Sequence, residues 1–439
     1  MIEFKEIGIR SKLLNDAQIL KSLRKLGKLH RNFKDKDLLV DLLNSENKNI
    51  RYYSISNLAK LIDEKLLNTY EKFLKKEETS YVRRETASAI GRLRSKKAIP
   101  LMIKLLKDKD PNIILQAIRG LLIFKSDKKI EKILKDLKNH PNEIVQKIIS
   151  IEFFDNKKYS SKHNKFPEYL KNCIAKGDVV EILKKVEDES IHLTFTSPPY
   201  YNARDYSIYN SYNSYLNFLW KTFEEVHRVT KEGRFLVLNT SPIIIPRTGR
   251  KYSSIRYPIP FDIHSEMIKM GWEYVDDIVW LKPEPSAKNR VAGFNLHRKP
   301  LAYKPNCVTE TLMVYRKKSN KLIDWIFKQY PEDIVKKSKI KDGYETSNVW
   351  KIDPSSDKNH TAVFPIKLCD KVISYYSFEG DLVFDPFAGS GSVGLSSIKN
   401  NRFFFLTEIN KEYFNILKDK LKSDLFEDLK IGINKKEKN

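Results

Sequence analysis

The residues best suited to chemistry follow an apolar run in the stretch FTSPPYYNARDY (195–206). Ser197, Pro198, Pro199 and Tyr200 stand where an ordinary turn would use Gly, Asn or Asp. Two prolines cannot donate to a sheet ladder, and they hold the backbone carbonyl between them rigidly. The stretch therefore offers a hydroxyl, a fixed carbonyl and an aromatic face directly after a buried strand.

A second stretch, GDLVFDPFAGSGSVG (380–394), joins a buried strand to a helix through a glycine-rich turn. Asp385 ends that strand, and Glu408 ends the next one. In doubly wound sheets such glycines, here Gly389 and Gly391, let the backbone approach a ligand, and the second acid can hold two ribose hydroxyls. Because the turn has neither the dinucleotide GxGxxG spacing nor a Gly-Lys-Ser/Thr phosphate loop, it favours a ligand with ribose and adenine but no phosphates. S-adenosyl-L-methionine is the obvious one.

The two motifs together, TSPPY followed by DPFAGSGSVG, resemble the DNA amino-methyltransferases, which methylate exocyclic amines of bases. The resemblance covers about residues 167–425, and the catalytic motif precedes the cofactor motif, as in the circularly permuted β-class. It implies a Rossmann-like α/β domain, S-adenosyl-L-methionine as cofactor, base flipping in duplex DNA and a place in a restriction–modification system.

The resemblance also implies which residues meet the cofactor. Asp178 would contact its adenine and Phe364 its methionine part. The full predicted cofactor set is Asp178, Thr196, Phe364, Asp385, Pro386, Phe387, Ala388, Gly389, Ser390, Gly391 and Glu408.

The catalytic loop can then be understood physically. An exocyclic base amine is a poor nucleophile because its lone pair is delocalised into the ring. Hydrogen bonds from the amine to the Ser197 hydroxyl and the Pro198 carbonyl would favour the pyramidal, nucleophilic form, while Pro199 stiffens the loop. Tyr200 offers a face on which an extruded base stacks. The competing interpretation is a rigid loop with a packed tyrosine.

The first position of the catalytic motif bears on the base. In the resembled family it is usually Asp for adenine N6 and Ser for cytosine N4, so Ser197 favours cytosine N4, with adenine N6 as the alternative. Cytosine C5 methylation needs a nucleophilic cysteine, usually in a Pro-Cys pair. Cys173, Cys307 and Cys369 do not follow proline, so that chemistry has no support.

Basic and aromatic loops are candidates for DNA contacts. Arg204 follows the catalytic loop and would touch a phosphate or form a surface ion pair. The segment 281–347 is the candidate for target recognition, with base-edge readers in 281–306 and with 318–347 as the rival stretch. The predicted DNA-contacting residues are Arg204, Arg247, Arg250, Lys288, Arg290 and Arg298.

Alternating elements must position these residues. Short apolar runs (191–197, 234–241, 274–281 and 310–316) alternate with amphipathic stretches such as 214–230. This pattern predicts an α/β domain with a mostly parallel sheet covered by helices.

The N-terminal third repeats itself. Segments aligned on one apolar position begin near Gln18, Ile50, Val82, Ile113 and Ile144. A helix pair recurring at this period is typical of a solenoid, because each pair buries its apolar face against the next. The line VRRETASAIGRL (82–93) resembles the HEAT repeat, which implies an all-α HEAT-like domain; an ordinary helical bundle is the alternative.

The predicted domains are therefore a HEAT-like repeat domain (1–155), a linker (156–166), the methyltransferase domain (167–425) and a basic tail (426–439). The formal net charge is +25, and residues 1–166 hold 38 Lys and Arg against 21 Asp and Glu. Such an excess favours polyanions, nucleic acid above all, or is a lysine-rich solvated surface. The predicted partner is duplex DNA, and a cognate restriction endonuclease stays open.

Composition narrows the setting. No stretch approaches the roughly 18 apolar residues of a membrane span, and the early charges of MIEFKEIGIR leave no signal-peptide core. The sequence has no CxxC pair and no metal constellation, so a cytoplasmic protein without a metal is expected, and the Lys-, Asn- and Ile-rich composition suggests a prokaryote. Two alternatives of other kinds stay open: an RNA base methyltransferase, and an inactive repeat scaffold that binds nucleic acid or protein.

Overall fold

A computed structural model describes residues 15–30, 33–154, 163–201, 209–245, 249, 251–252, 254–284, 307–340, 343–355, 364–425 and 429–433. The chain divides into two compact units, Met1–Lys158 and Tyr159–Asn439.

The first unit is built from helix pairs. The first helices of successive pairs are α1 (Asp16–Lys25), α3 (Lys48–Lys60), α5 (Ser80–Arg92), α7 (Pro111–Leu122) and α9 (Glu143–Phe153). The second helices are α2 (Lys36–Asp41), α4 (Leu67–Lys76), α6 (Ile99–Leu105) and α8 (Lys128–Lys135). The five predicted repeat positions thus lie on or beside five successive first helices, which confirms the predicted HEAT-like array.

Local sequence fixes these helices. Asn47 and Asp110 accept the backbone N–H two residues further on and so cap α3 and α7. The first helices bury one face completely, as Ile55, Ile90 and Ile118 show. Neighbouring repeats approach closely at Gly91. A Cβ at this position would lie only 3.3 Å from Cα of Gly120 in the next repeat.

The second unit is an α/β domain around a nine-stranded sheet of order β11-β1-β10-β9-β2-β3-β7-β6-β8. Its strands are β1 (Cys173–Lys176), β2 (Ile191–Thr196), β3 (Thr230–Thr240), β6 (Trp272–Leu281), β7 (Thr309–Lys317), β8 (Val349–Lys351), β9 (Leu382–Asp385), β10 (Phe403–Glu408) and β11 (Lys430–Ile431). A separate hairpin pairs β4 (Ile243–Ile245) with β5 (Ile255–Tyr257). Strand β7 alone runs antiparallel to its neighbours β3 and β6, and the other pairings are parallel, which confirms the predicted sheet.

Helices cover both faces of this sheet. The helices of this unit are α10 (Val179–Leu183), α11 (Tyr212–Val229), α12 (Ile259–Lys269), α13 (Ile323–Phe327), α14 (Glu332–Lys337), α15 (Ile366–Tyr376), α16 (Ser392–Lys399) and α17 (Lys411–Leu425). In β9, Leu382 and Phe384 belong to the core under α11, whereas Val383 belongs to the core under α15. Alternate residues of one strand therefore supply two cores, which explains why the central strands are apolar throughout.

Described residues just outside the predicted catalytic domain 167–425 contact the catalytic unit. The carbonyl of His163, in the predicted linker 156–166, accepts a hydrogen bond from His192 Nε2 (2.7 Å) and lies 2.8 Å from the Tyr330 hydroxyl oxygen. In the predicted basic tail, β11 pairs with β1 in the sheet. The described residues 163–166 and 429–433 thus pack with the catalytic unit, because backbone pairing and a buried histidine hold them there.

Part of the rival recognition stretch 318–347 can be located relative to the sheet. Tyr330, within the rival stretch 318–347, donates to Asp381, which directly precedes β9 and so marks the amino end of that strand. The catalytic loop follows the carboxyl end of the parallel strand β2. The stretch around Tyr330 therefore packs at the edge of the sheet opposite the catalytic loop, and a role in target recognition stays a prediction for it.

Candidate active site

The site residues gather at one edge of the sheet. Strands β10, β9 and β2 are parallel neighbours, so their carboxyl ends, marked by Glu408, Asp385 and Thr196, lie side by side. The hydroxyl of Thr196 donates to Asp385 Oδ1 over 2.6 Å. In α/β sheets the crevice beyond these strand ends is where ligands bind.

The glycine-rich turn after β9 is held by its own backbone and by Glu408. The Ala388 N–H donates to the Thr407 carbonyl (3.0 Å), and the Gly389 N–H donates to Glu408 Oε2 (2.9 Å). Gly389 and Gly391 have φ of 50° and 87°, which side chains disfavour. A Cβ on Gly391 would lie 2.5 Å from the Leu417 side chain. Glycine at both positions avoids this backbone strain, and at Gly391 it also avoids a contact with Leu417.

Two buried acids face each other across the turn. Asp385 accepts from the Thr196 hydroxyl and from the Phe387 N–H (3.0 Å), yet burial raises its pKa to about 7, and Glu408 adds repulsion. Burial also raises the pKa of Glu408, while backbone N–H groups of Asn410, Gly389 and Ile409 oppose that rise. A carboxylate can accept about four hydrogen bonds, so Glu408 keeps acceptor capacity for about one more, such as a ligand hydroxyl.

Pro386 and Ser390 complete the turn. The Thr407 hydroxyl donates to the Pro386 carbonyl (2.8 Å), and Ser390 is buried. These contacts fix the backbone between Asp385 and Gly391 on the neighbouring strand β10.

Asp178 and Phe364 flank the same edge. The Gly177 N–H donates to the Glu408 carbonyl (3.1 Å), which places Asp178 just beyond the end of β1, next to β10. Asp178 is exposed and caps α10 by accepting from the Val180 N–H (2.8 Å). The Phe364 ring stacks on Phe195 of β2 at 4.8 Å. The structure thus brings both residues to the edge that carries Asp385 and Glu408.

Thr196 acts on Asp385 in this structure. Its side chain is fully buried, and its hydroxyl donates a hydrogen bond to the Asp385 carboxylate. It therefore positions Asp385, and a direct contact with the cofactor stays a prediction.

The catalytic loop begins directly after β2. Ser197 is half-buried and Pro198 is buried, and Pro199 and Tyr200 are half-buried. Tyr201 packs edge-on against Tyr257 at 5.0 Å and against Tyr212 at 5.4 Å. The two tyrosines of the motif thus differ: Tyr201 anchors the loop in an aromatic cluster, and Tyr200 is turned toward polar partners.

A polar cluster that the sequence did not predict surrounds Tyr200. The Tyr200 hydroxyl donates to Glu310 Oε2 over 3.0 Å, and Asn239 Nδ2 and Lys282 Nζ donate to the same carboxylate. Asn239 Nδ2 also lies 3.4 Å from Ser197 Oγ. Burial and the Glu310 carboxylate raise the pKa of Tyr200 well above its ordinary value, so its hydroxyl keeps its proton.

Asn239, Glu310 and Lys282 lie in or next to three different strands. Asn239 lies near the carboxyl end of β3, Glu310 near the start of the antiparallel β7, and Lys282 just after β6. In the register Trp280 stands opposite Glu310, so the β6–β7 pair delivers both charges to the catalytic loop. The only sequence signal was a polar Asn239 ending an apolar run.

The predicted DNA-contacting residues Arg204, Arg247, Arg250, Lys288, Arg290 and Arg298 lie outside the described residues. Within the described part of the chain, His, Cys, Asp and Glu form no group that could hold a metal ion. In the same part, every helix is too short or too polar to cross a membrane.

The fold and this edge define a class: an α/β protein with a ribose-binding type of glycine turn beside a Ser-Pro-Pro-Tyr loop. A family model described as DNA methylase matches residues 191–419, more than half of the chain, and a model of HEAT repeats matches 68–151. The chain belongs to this DNA methylase family. The family confirms the predicted DNA methyltransferase and the fold.

Individual relatives agree. The chain is 29% identical over 256 residues to the Type II beta methyltransferase M.BslI of Bacillus sp. (strain NEB-606), covering 56% of this chain and 27% of that protein. It is 30% identical over 264 residues to the orphan methyltransferase M.BamHII of Bacillus amyloliquefaciens, covering 55% of this chain and 92% of that protein. The chain thus spans only about a quarter of M.BslI.

A solved structure, a putative DNA modification methylase from Thermus thermophilus in complex with S-adenosyl-L-methionine, is similar with a TM-score of 0.47 and 22% identity. The likeness covers 60% of this chain and 100% of that one.

Proposed function

We propose that this protein transfers a methyl group from S-adenosyl-L-methionine to the exocyclic N4 amine of cytosine in duplex DNA. The observation that carries the proposal is the 2.6 Å hydrogen bond between Thr196 and Asp385. It joins the strand that ends in the catalytic loop to the strand that ends in the glycine turn, so a methyl donor and an extruded base would meet at one edge.

The residues present fit this cofactor. Glu408 retains acceptor capacity for a ribose hydroxyl, and the left-handed glycines would let the backbone approach the ligand. Phe364 offers an aromatic face beside β2, and Asp178 is exposed at the end of β1. When bound, S-adenosyl-L-methionine supplies an electrophilic methyl group on a sulfonium.

The chain's own residues would prepare the nucleophile. Ser197 Oγ and the carbonyl of Pro198 would accept the two amine hydrogens, which favours the pyramidal amine with its lone pair free. Tyr200 would stack on the extruded base, and its hydroxyl is tied to Glu310 so that the ring is fixed. The nitrogen would gain the methyl group as the sulfonium's S–CH3 bond breaks, with S-adenosyl-L-homocysteine as leaving group, and would then lose one proton to solvent. The residues that hold the base would raise the rate mainly by positioning it.

Cytosine rather than adenine is proposed because the motif begins with Ser197, in line with the family bias described above. Duplex DNA is proposed because the chain belongs to a DNA methylase family. We infer that the protein acts on DNA in the cytoplasm of a prokaryote. A cognate restriction endonuclease is a further proposed partner, since a relative carries a Type II name.

The decisive experiment is identification of the methylated base. Purified protein is incubated with labelled cofactor and either duplex DNA or RNA, and the digested product is analysed by mass spectrometry. We expect N4-methylcytosine from DNA, and we expect Tyr200→Ala and Pro198→Ala to lose most turnover while still binding cofactor.

Other outcomes separate the alternatives. N6-methyladenine as the only product would contradict the proposal of cytosine N4 that is based on Ser197. Methylation of RNA alone would contradict the proposal of a DNA substrate. Protein that fails to bind S-adenosyl-L-methionine by calorimetry would favour an inactive scaffold. Long-read sequencing of DNA from a host expressing the protein would give the target sequence.

A further inference from the structure

Asn239 stands beside the catalytic loop on the neighbouring strand. Strands β2 and β3 are parallel and pair Thr196 with Leu238, so the residues that follow, Ser197 and Asn239, lie level with each other at the carboxyl edge. Asn239 is only 1% exposed. Its Nδ2 lies 3.4 Å from Ser197 Oγ and 3.4 Å from the Tyr200 hydroxyl oxygen. A buried amide that the proposed reaction does not use therefore contacts both polar side chains of the loop.

The amide of Asn239 has one favourable orientation toward this cluster. Its Nδ2 donates to the carboxylate of Glu310, which also forms an ion pair with Lys282. With the amide reversed, Oδ1 would face that carboxylate, and two acceptors would meet without a hydrogen between them. One N–H of the amide thus serves Glu310, and the other is left for the oxygens of Ser197 and Tyr200.

The hydroxyl of Tyr200 also has a fixed direction. It donates to Glu310 Oε2 over 3.0 Å, so toward its other neighbours its oxygen can only accept. Burial and the Glu310 carboxylate raise the pKa of Tyr200, and a hydrogen bond with the Ser197 side chain opposes that rise. Because a donor stabilises the ionised form, this opposition means that Ser197 donates to the phenolic oxygen. The O–H groups therefore point from Ser197 to Tyr200 and from Tyr200 to Glu310.

These contacts leave Ser197 one free lone pair. A hydroxyl has one hydrogen and two lone pairs. The hydrogen goes to Tyr200 and one lone pair accepts the N–H of Asn239, so a single lone pair remains for the amine of the base. A carboxylate at this position would offer only acceptors, whereas a serine alone could turn and donate instead. The serine form of the motif therefore depends on neighbours that fix the direction of its hydroxyl.

We propose that Asn239 is a positioning residue that holds Ser197 as a hydrogen-bond acceptor, so that the site admits a base with an exocyclic amine and disfavours one with a carbonyl in its place. This inference rests on the proposed function. Cytosine presents a donor at N4, whereas uracil and thymine present an acceptor at O4. With Ser197 held in this way, such a carbonyl would meet a lone pair and stay unpaired.

A double-mutant cycle tests whether Asn239 acts through Ser197. Asn239→Leu keeps a similar shape and removes the donors, and it is made in the full chain both with Ser197 and with Ser197→Ala. The rate constant of methyl transfer to DNA is measured in single turnover. We expect about a tenfold loss when Ser197 is present, as for a lost hydrogen bond, and about twofold or less in Ser197→Ala, where no hydroxyl is left to direct.

Thr194→Val is the matched control. Thr194 lies within β2, and its hydroxyl is buried and has no hydrogen-bond partner among the residues that the structure describes. The change thus removes a buried polar group close to Ser197 in sequence without removing a contact of the cluster, and the rate constant should stay near wild type in both backgrounds. Circular dichroism checks that the variants fold. If Asn239→Leu folds poorly, the smaller Asn239→Ala replaces it, with the same expected rates.

Binding of a base analogue gives a second readout that does not need turnover. Uracil replaces the target cytosine in a duplex of the sequence found by long-read sequencing, with guanine kept opposite and S-adenosyl-L-homocysteine added. Fluorescence anisotropy gives the ratio of the affinities for the two duplexes, and comparing this ratio between proteins cancels the different cost of opening the two base pairs. Asn239→Leu should shift the ratio about tenfold toward uracil, because Ser197 can then turn and donate to O4. Thr194→Val should keep the wild-type ratio.

Equal losses of rate in both backgrounds would overturn the proposal, since a purely structural asparagine costs the same with and without Ser197. An unchanged ratio of affinities in Asn239→Leu would overturn it too, and this ratio alone decides if Ser197→Ala has no measurable rate. Either result, found while the wild-type protein methylates DNA, would sink this inference and leave the proposed function standing. Wild type that methylates no nucleic acid would sink the proposed function, and this inference with it.

Discussion

Glu408 is the residue on which the proposed cofactor site depends most, because its oxygens accept the backbone N–H groups of Gly389 and Asn410 and leave capacity for a ligand. Glu408→Ala should weaken S-adenosyl-L-methionine binding about 10- to 100-fold, as expected when hydrogen bonds to a charged group worth roughly 1.5–3 kcal/mol are lost. Isothermal calorimetry measures this. The exposed Glu412 four residues later provides the control, and Glu412→Ala should bind like wild type. Equal affinity in all three proteins would remove Glu408 from the cofactor site.

Glu310 acts one step further from the reaction. Its carboxylate accepts from Tyr200, Asn239 and Lys282 together, whereas a glutamine has one acceptor oxygen and would turn an NH₂ toward one of these donors. We therefore expect Glu310→Gln to lower kcat about 10- to 100-fold in single-turnover assays, with cofactor affinity unchanged.

The matched control for that variant is Glu284→Gln, since Glu284 is exposed and lies two residues after Lys282. The pH profile gives a readout that a purely structural role would not move, because it reports the charge next to Tyr200. Wild-type kcat together with a wild-type pH profile in Glu310→Gln would show that the cluster only packs.

At the scale of elements, buried histidines tie strands together at the amino edge of the sheet. His192 Nδ1 accepts the Leu382 N–H of β9 (3.0 Å), while Nε2 lies 2.7 Å from the His163 carbonyl. Only the neutral Nε2–H form satisfies both partners. Burial lowers the pKa of His192 to about 3 and that of His163 to about 4.

The sign of the pH effect follows. The unfolded histidine takes a proton below about pH 6.5, whereas the folded one stays neutral, so stability is full above that pH and falls as pH drops toward the folded pKa. Each such histidine should lower the free energy of unfolding by about 2 kcal/mol as the pH falls from 6.5 to 5. Urea unfolding of the catalytic unit measures this, and His192→Gln should flatten the pH dependence by about that amount. The control is His30→Gln, since His30 is exposed and lies in the helical unit, and it should keep the wild-type pH dependence. A wild-type pH dependence in His192→Gln would contradict the role given to His192.

The elements also show what a sequence can and cannot predict. The glycine turn and the Ser-Pro-Pro-Tyr loop were predictable because their chemistry is local, set by residues a few positions apart. Glu310 was not, since it meets Tyr200 only through antiparallel pairing of β7 with β3, 110 positions later in the chain. The edge strand β11 escaped prediction because two residues in a lysine-rich context carry no periodicity.

Contacts with residues distant in the chain also explain why residues next to the predicted boundary at 166 were assigned to a linker. His163 and Phe166 look like linker residues in sequence, yet Phe166 packs edge-on against His192 at 5.8 Å. Burial of single residues against distant strands leaves no trace in composition.

At the scale of the whole molecule, this boundary decides how the two units can be separated. The chain divides after Lys158, and His163 belongs to the catalytic unit by its bonds to His192 and Tyr330. A protein of residues 159–439 should therefore keep the buried cluster, and a cut at 167 should destabilise it.

Removing residues 1–158 also removes most of the basic excess of the first third. We expect residues 159–439 to bind S-adenosyl-L-methionine and to keep sequence preference, while DNA affinity at low salt falls and its salt dependence flattens. Thermal unfolding compares the two truncations, and anisotropy measures the DNA slopes. A wild-type slope in folded 159–439 would mean that the repeats serve a protein partner and that their lysines only solubilise the chain.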